Sequence, residues 1–145
     1  SAASDVYKRQ AYRQFGYSIL IDAHSMPHEA ILNASTGFHT SQLVLGDRYG
    51  ASCSPDIVNN LSMLISKNGL HASRNIPFSG AYIVQKYGRP ELNRHAIQLE
   101  IDRSMYMDER KIQKLDKFVN LKNKLLNILK DFSKTHTSIA SIAAE

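Results

Sequence analysis

Two apolar segments of the chain carry residues that a buried strand has no structural use for. The first is SILIDAHSMPHEA, residues 18–30, whose apolar run ends in Asp22, Ala23, His24 and Ser25. A carboxylate beside a histidine is a common way to orient an imidazole toward a metal. Open α/β sheets gather their ligands outside the carboxyl ends of their strands. His24 stands one residue past the last position expected to be buried, with Asp22 two residues back. From these residues alone it is either a metal ligand or a hydrogen-bonded histidine at a strand edge. His28 follows, but Pro27 opposes a continuous helix presenting both histidines to one ion. The chain also lacks an HExxH motif, which excludes a zincin.

The second segment is HAIQLEIDRSMYMDE, residues 95–109. Ala96, Ile97, Leu99 and Ile101 make an apolar strand with Glu100 inside it. A buried, unpaired carboxylate is costly, so Glu100 must be paired, protonated or turned toward a cavity. Two readings stand: a partner for an arginine in a buried ion pair, or a general base facing an activated water.

The elements that must position these residues alternate along the chain. Tyr17–Ala23 reads as a buried strand, and 26–45 as mostly irregular, with turn formers in NASTGFHTS. VLGDRYGASCSP holds a strand end and a glycine-punctuated loop. Ser54 and Pro55 open a helix to about Lys67, closed by Asn68-Gly69. AYIVQKYG and HAIQLEID read as strands. A last helix is expected from near Asp108, with Ile112, Leu115, Val119, Leu126 and Leu129 as its apolar stripe. The alternation indicates a three-layer α/β domain over residues 11–135. Ser1–Gln10 reads as a non-native or unstructured leader, and 136–145 as a frayed tail.

Composition limits the function classes. The chain has 145 residues, 43% of them hydrophobic and 21% charged, with a formal net charge of +5. That is one ordinary globular domain. No apolar run approaches the roughly 18 residues of a membrane span. The lysines concentrate between Lys111 and Lys134, where they read as the solvated face of the last helix. The absence of interleaved aromatics argues against nucleic acid as a partner. Cys53 is the single cysteine, which excludes an internal disulfide and fits the cytoplasm.

LIDAHSMP, LVLGDRYGASCSP, RNIPFSGAYIVQKYGRP and HAIQLEIDRSMYMDE, in this order from Tyr17 to Glu109, together resemble the C-terminal part of the N-formylglutamate amidohydrolase (deformylase) family. The resemblance implies a zinc-carboxypeptidase-like (phosphorylase/hydrolase-like) three-layer sandwich with a mixed sheet, incomplete at its N-terminus. It implies Zn2+, or another divalent metal, as cofactor and a small N-acyl amino acid as substrate. His24 then matches a zinc ligand and Glu100 the general base, with Asp22 and Ser25 supporting them and the other ligands upstream of this chain. Water is the nucleophile in that chemistry, so Cys53 is expected to be structural. His95 is expected to be structural or at the strand's edge.

A substrate with two carboxylates calls for cations, and arginine's planar fork suits them. Arg48, Arg74, Arg89 and Arg103 are the candidates, with Asn75 and Tyr82 beside them. A zinc carboxypeptidase, a related acylase and a non-enzymatic basic binding module are the alternative functions.

Overall fold

The computed structural model describes the backbone of residues 2–34 and 41–142, and the side chains of 6–34 and 41–136. Expectations for 35–40 and 143–145 lie outside the described residues. The central sheet has four strands: β1 (Ser18–Met26), β2 (Leu43–Gly46), β3 (Ala72–Arg74) and β4 (Arg94–Asp102), in the order β1-β4-β2-β3. β1 runs parallel to β4, β2 antiparallel to β4, and β3 parallel to β2. The fold is therefore α/β with a mixed sheet.

Side chains alternate across the sheet, and its two faces differ. One face presents Ile97, Leu99, Leu43 and Leu45 to the main core. There α3 (Pro55–Lys67) contributes Ile57, Val58, Leu61, Leu64 and Ile65, and α5 (Phe118–Ile142) adds Leu121, Ile128 and Phe132. The other face carries two small apolar patches. Met26 and Val44 pack against Ile31 of α2 (His28–Ala34), with Phe78 alongside. Ala96 packs against Val84 and Tyr87 of α4 (Tyr82–Tyr87), with Leu20 alongside. Between these patches the strand positions are polar.

Several expectations are met. α3 begins at Pro55 after an extended Ser54 and ends where Asn68 Nδ2 donates to Leu64 O at 2.9 Å, with Gly69 in the left-handed region. β4 covers the expected strand. Others are corrected. Residues 2–15 form α1 (Ala2–Phe15), so the leader is helical rather than unstructured. The region after Met26 contains α2 and is less irregular than expected. AYIVQKYG is not a strand: Val84 and Tyr87, three apart, are the buried side of α4, a spacing that the β-formers in this stretch conceal.

The last helix starts at Phe118, not near Asp108. Asp108 Oδ1 accepts from the amides of Arg110 and Lys111, both at 3.0 Å, so it closes a turn instead of capping a helix. That turn joins β5 (Met107–Asp108) to β6 (Gln113–Lys114). Drawing Ile112 and Leu115 into the helix selected the wrong stripe. Val119 and Leu126 are 60% and 52% exposed, whereas Leu121, Ile128 and Phe132 face the core. The tail expected to fray from His136 is helical to Ile142.

β1 is the sheet's edge, paired only with β4 among the described residues. Residues 19–22 are consequently half-buried rather than buried. An apolar groove of about 440 Å³ runs along this edge, lined by Phe15, Tyr17, Ile19, Ile21, Leu129 and Phe132. Among the described residues no helix is long and apolar enough to cross a membrane.

Candidate active site

The polar window between α2 and α4 is built by strand register. β1 and β4 align Asp22 with Gln98 and His24 with Glu100, while β2 sets Gly46 beside Gln98 and Val44 beside Glu100. The two anomalies of the sequence are thus cross-strand neighbours on one face. His24 lies inside β1 rather than beyond its end, and the site opens on the sheet's face, not past the strand termini. An edge position leaves the imidazole 46% exposed without ending the strand.

Glu100 is buried, 7% exposed. Its Oε1 accepts from Gln98 Nε2, and its Oε2 is buried with no partner among the described residues. No arginine pairs with it among them, so the ion-pair reading of Glu100 finds no support. His24 Nε2 stands 3.0 Å from Asp22 Oδ2. This is an ion-pair distance without hydrogen-bond alignment, since Oδ2 has no hydrogen-bond partner among the described residues.

A loop from Pro77 to Ala81 closes one side of the window. Arg48 N donates to Ser79 O at 2.7 Å, and Ala81 N to Gln98 Oε1 at 2.6 Å. Gly46 is required there: a Cβ on it would lie 2.7 Å from Gly80 N and 2.8 Å from Ser79 C, both backbone atoms.

The remaining candidates separate. Arg74 is committed to Asp47, donating from Nε at 3.2 Å and Nη2 at 2.5 Å. Asn75 Nδ2 donates to the same carboxylate at 2.6 Å, and Gly50 N adds a contact at 3.1 Å. Burial alone would raise the pKa of Asp47, but these donors, led by Arg74 and Asn75, hold it below the usual carboxylate value. The Arg74 guanidinium is raised in turn, chiefly by its hydrogen bonds to Asp47. Arg89 is spent on the end of α4, donating to Gln85 O at 2.9 Å and Gly88 O at 2.5 Å. Arg103 reaches Ser25 Oγ at 3.3 Å and Glu109 at 3.8 Å. Ser25 therefore belongs with Arg103 on the opposite face, away from His24. Among the described residues Arg48 alone of the four arginines has neither an ion pair nor a side-chain hydrogen bond. Tyr82, in the first turn of α4, is 66% exposed.

His28 is engaged by Asp102. β1 ends at Met26, and His28 Nδ1 lies 2.8 Å from Asp102 Oδ2 at the start of α2. His95 Nδ1 accepts from Ser54 N at 3.3 Å, and burial, then His136, lowers its pKa. Cys53 is fully buried, and burial pushes its thiol up to about 12, which disfavours the nucleophilic thiolate.

A metal-sized cluster of three or more His, Cys, Asp or Glu is absent among the described residues. His24 suits one ligand position, with Asp22 beside it, but the described residues do not complete a metal site.

Gln98 and Asp47 were missed by sequence reasoning. Gln98 was signalled by period two, which sets it with Glu100 and Asp102 on one face. Asp47 was signalled by LVLGD, an apolar run ending in an acid as SILID does.

Comparison with known proteins identifies the family of the chain. The family described as N-formylglutamate amidohydrolase matches residues 4–107. An N-formylglutamate deformylase of Pseudomonas aeruginosa (strain PAO1) is 36% identical over 97 residues, covering 66% of this chain and 36% of the relative. One from Pseudomonas putida is 37% identical over the same length and shares. The crystal structure of N-formylglutamate amidohydrolase from Ralstonia eutropha JMP134 superposes with a TM-score of 0.79 at 30% identity, covering 90% of this chain and 48% of that one. The chain thus spans about a third of its curated relatives and about half of the solved structure. With the family match extending over most of its length, the chain belongs to the N-formylglutamate amidohydrolase family.

Proposed function

We propose that the chain carries the general-base portion of a metal-dependent amidohydrolase that converts N-formyl-L-glutamate to formate and glutamate. One observation carries this reading: a buried glutamate oxygen without a partner among the described residues, on a polar window beside a half-exposed histidine. Structural carboxylates are saturated with donors, and this one is not.

Glu100 takes a proton from the water that attacks the formyl carbon. It returns that proton to the departing nitrogen as the C–N bond breaks, so one side chain serves as base and then acid. A bound divalent metal such as zinc would polarise the formyl carbonyl. His24 would be one of its ligands, with the others outside the described residues. Of the four candidate arginines, Arg48 is the one left free among the described residues to meet a substrate carboxylate. Arg74 and Asn75 act at one remove, by holding the loop through Asp47.

The mixed sheet with helices on both faces suits a zinc-carboxypeptidase-like arrangement. The share of its relatives that the chain spans supports reading it as part of a larger catalytic domain. The comparisons favour neither a peptidase nor a basic binding module.

The test is formate and glutamate release from N-formyl-L-glutamate by the complete amidohydrolase that carries this segment, in zinc-containing buffer, beside N-acetyl-L-glutamate and a C-terminal dipeptide. Equimolar formate and glutamate from the first substrate alone are expected. Absence of formate, or faster cleavage of the dipeptide, refutes the reading. His24→Ala should also abolish zinc retention by elemental analysis, and unchanged zinc content removes His24 as a ligand.

A further inference from the structure

The two oxygens of Glu100 are not equivalent, and the cause is Gln98. The Ala81 backbone N–H donates to Gln98 Oε1 at 2.6 Å. A backbone N–H can only donate, so it fixes the amide with its oxygen toward Ala81 and its NH2 toward Glu100. Gln98 Nε2 donates to Glu100 Oε1 accordingly. Oε2 is left buried and without a partner among the described residues.

We propose that Gln98 is a positioning residue that occupies Oε1 of Glu100 and so assigns both proton transfers to Oε2. The inference rests on the reading of Glu100 as the general base. A proton on Oε1 would face the Gln98 NH2, donor against donor, and would cost that hydrogen bond. A proton on Oε2 costs none. A group that takes a proton from water and returns it to the leaving nitrogen must hold it on an oxygen that reaches both.

The anchor is rigid. Ala81 directly precedes α4, whose Val84 and Tyr87 are packed on Ala96, and Gly80 is pressed against Gly46. The amide therefore cannot turn with the carboxylate. Support of this kind separates a held catalytic group from a loose one.

Two substitutions in the full chain separate positioning from simple packing. Gln98→Met keeps the length but has neither donor nor acceptor. Gln98→Glu keeps an acceptor for Ala81 but replaces the donor facing Glu100. Both should lower kcat for N-formyl-L-glutamate by about 10- to 100-fold, with KM changed less than about twofold. Neither should add a further loss in a Glu100→Gln background. Full activity in Gln98→Glu, or an equal loss from Gln98→Met in both backgrounds, overturns the proposal.

A spectroscopic comparison decides the case independently of turnover. The two Gln98 side-chain amide protons should be well separated by NMR in the wild-type chain and converge in Glu100→Leu, with the Ala81 amide unmoved. Amide protons indifferent to Glu100→Leu overturn the proposal. A complete amidohydrolase that releases no formate refutes the proposed function, and the NMR comparison alone then decides the role of Gln98.

Discussion

Asp47 and Glu100 sit beside one another in the fold's logic, each a buried carboxylate on or just after a strand, and they are treated in opposite ways. Asp47 is fully buried and receives Arg74 twice, Asn75 and the Gly50 amide. Its charge is compensated, and it ties the end of β3 to the loop after β2. Glu100 is nearly as buried, yet one amide donor serves one of its oxygens and the other oxygen has none among the described residues. A saturated acid is part of the scaffold. An acid left half satisfied keeps a lone pair for chemistry.

The contrast can be broken most forcefully at Asp47. Asp47→Ala strands Arg74 and Asn75 and should cost about 3 kcal/mol in urea unfolding. This is the low end for breaking a buried pair, because the Arg74 side chain keeps about a third of its surface in solvent. Its pH signature has a definite sign. The folded-state pKa of Asp47 is depressed, so its contribution is present above the unfolded carboxylate value, about 3.9, and is lost as pH falls through the lower folded value. Asp47→Ala should flatten the acid limb of a stability–pH curve, and an unchanged limb would remove Asp47 from that role.

Gly46→Ala comes next. Its methyl group would meet the Ser79–Gly80 backbone, and overpacking of this kind costs about 1–3 kcal/mol. Thermal unfolding measures it, and a wild-type midpoint would show that the loop can give way. The smallest stability effect is expected at Glu100. Glu100→Leu removes a group that is poorly served in the fold and should change the unfolding free energy by less than about 1 kcal/mol, in either direction. A loss as large as that of Asp47→Ala would mean that both acids are structural.

Much of this contrast is legible in the sequence, but unevenly. Glu100 inside HAIQLEID and His24 after SILI stand out because an ionisable residue interrupts or ends an apolar run. Their meeting across the β1–β4 register is not legible, since pairing is set by tertiary contacts and not by local pattern. LVLGD carries the same signal as SILID, and only the structure shows that Arg74 and Asn75, more than 25 residues on, saturate its acid. α4 was hidden because Tyr, Ile and Val favour strands, while burial of Val84 and Tyr87 decides the outcome. The start of α5 was misplaced because Asp108 has the chemistry of a helix cap and is used to close a turn.

The most direct test measures formate release and urea unfolding on one preparation of Glu100→Gln beside the wild type, both in the complete amidohydrolase that carries this segment. The account predicts a fall in kcat of about 10²- to 10⁴-fold with the unfolding midpoint unchanged. Wild-type turnover in Glu100→Gln, or a loss of turnover that follows a loss of fold, would contradict it.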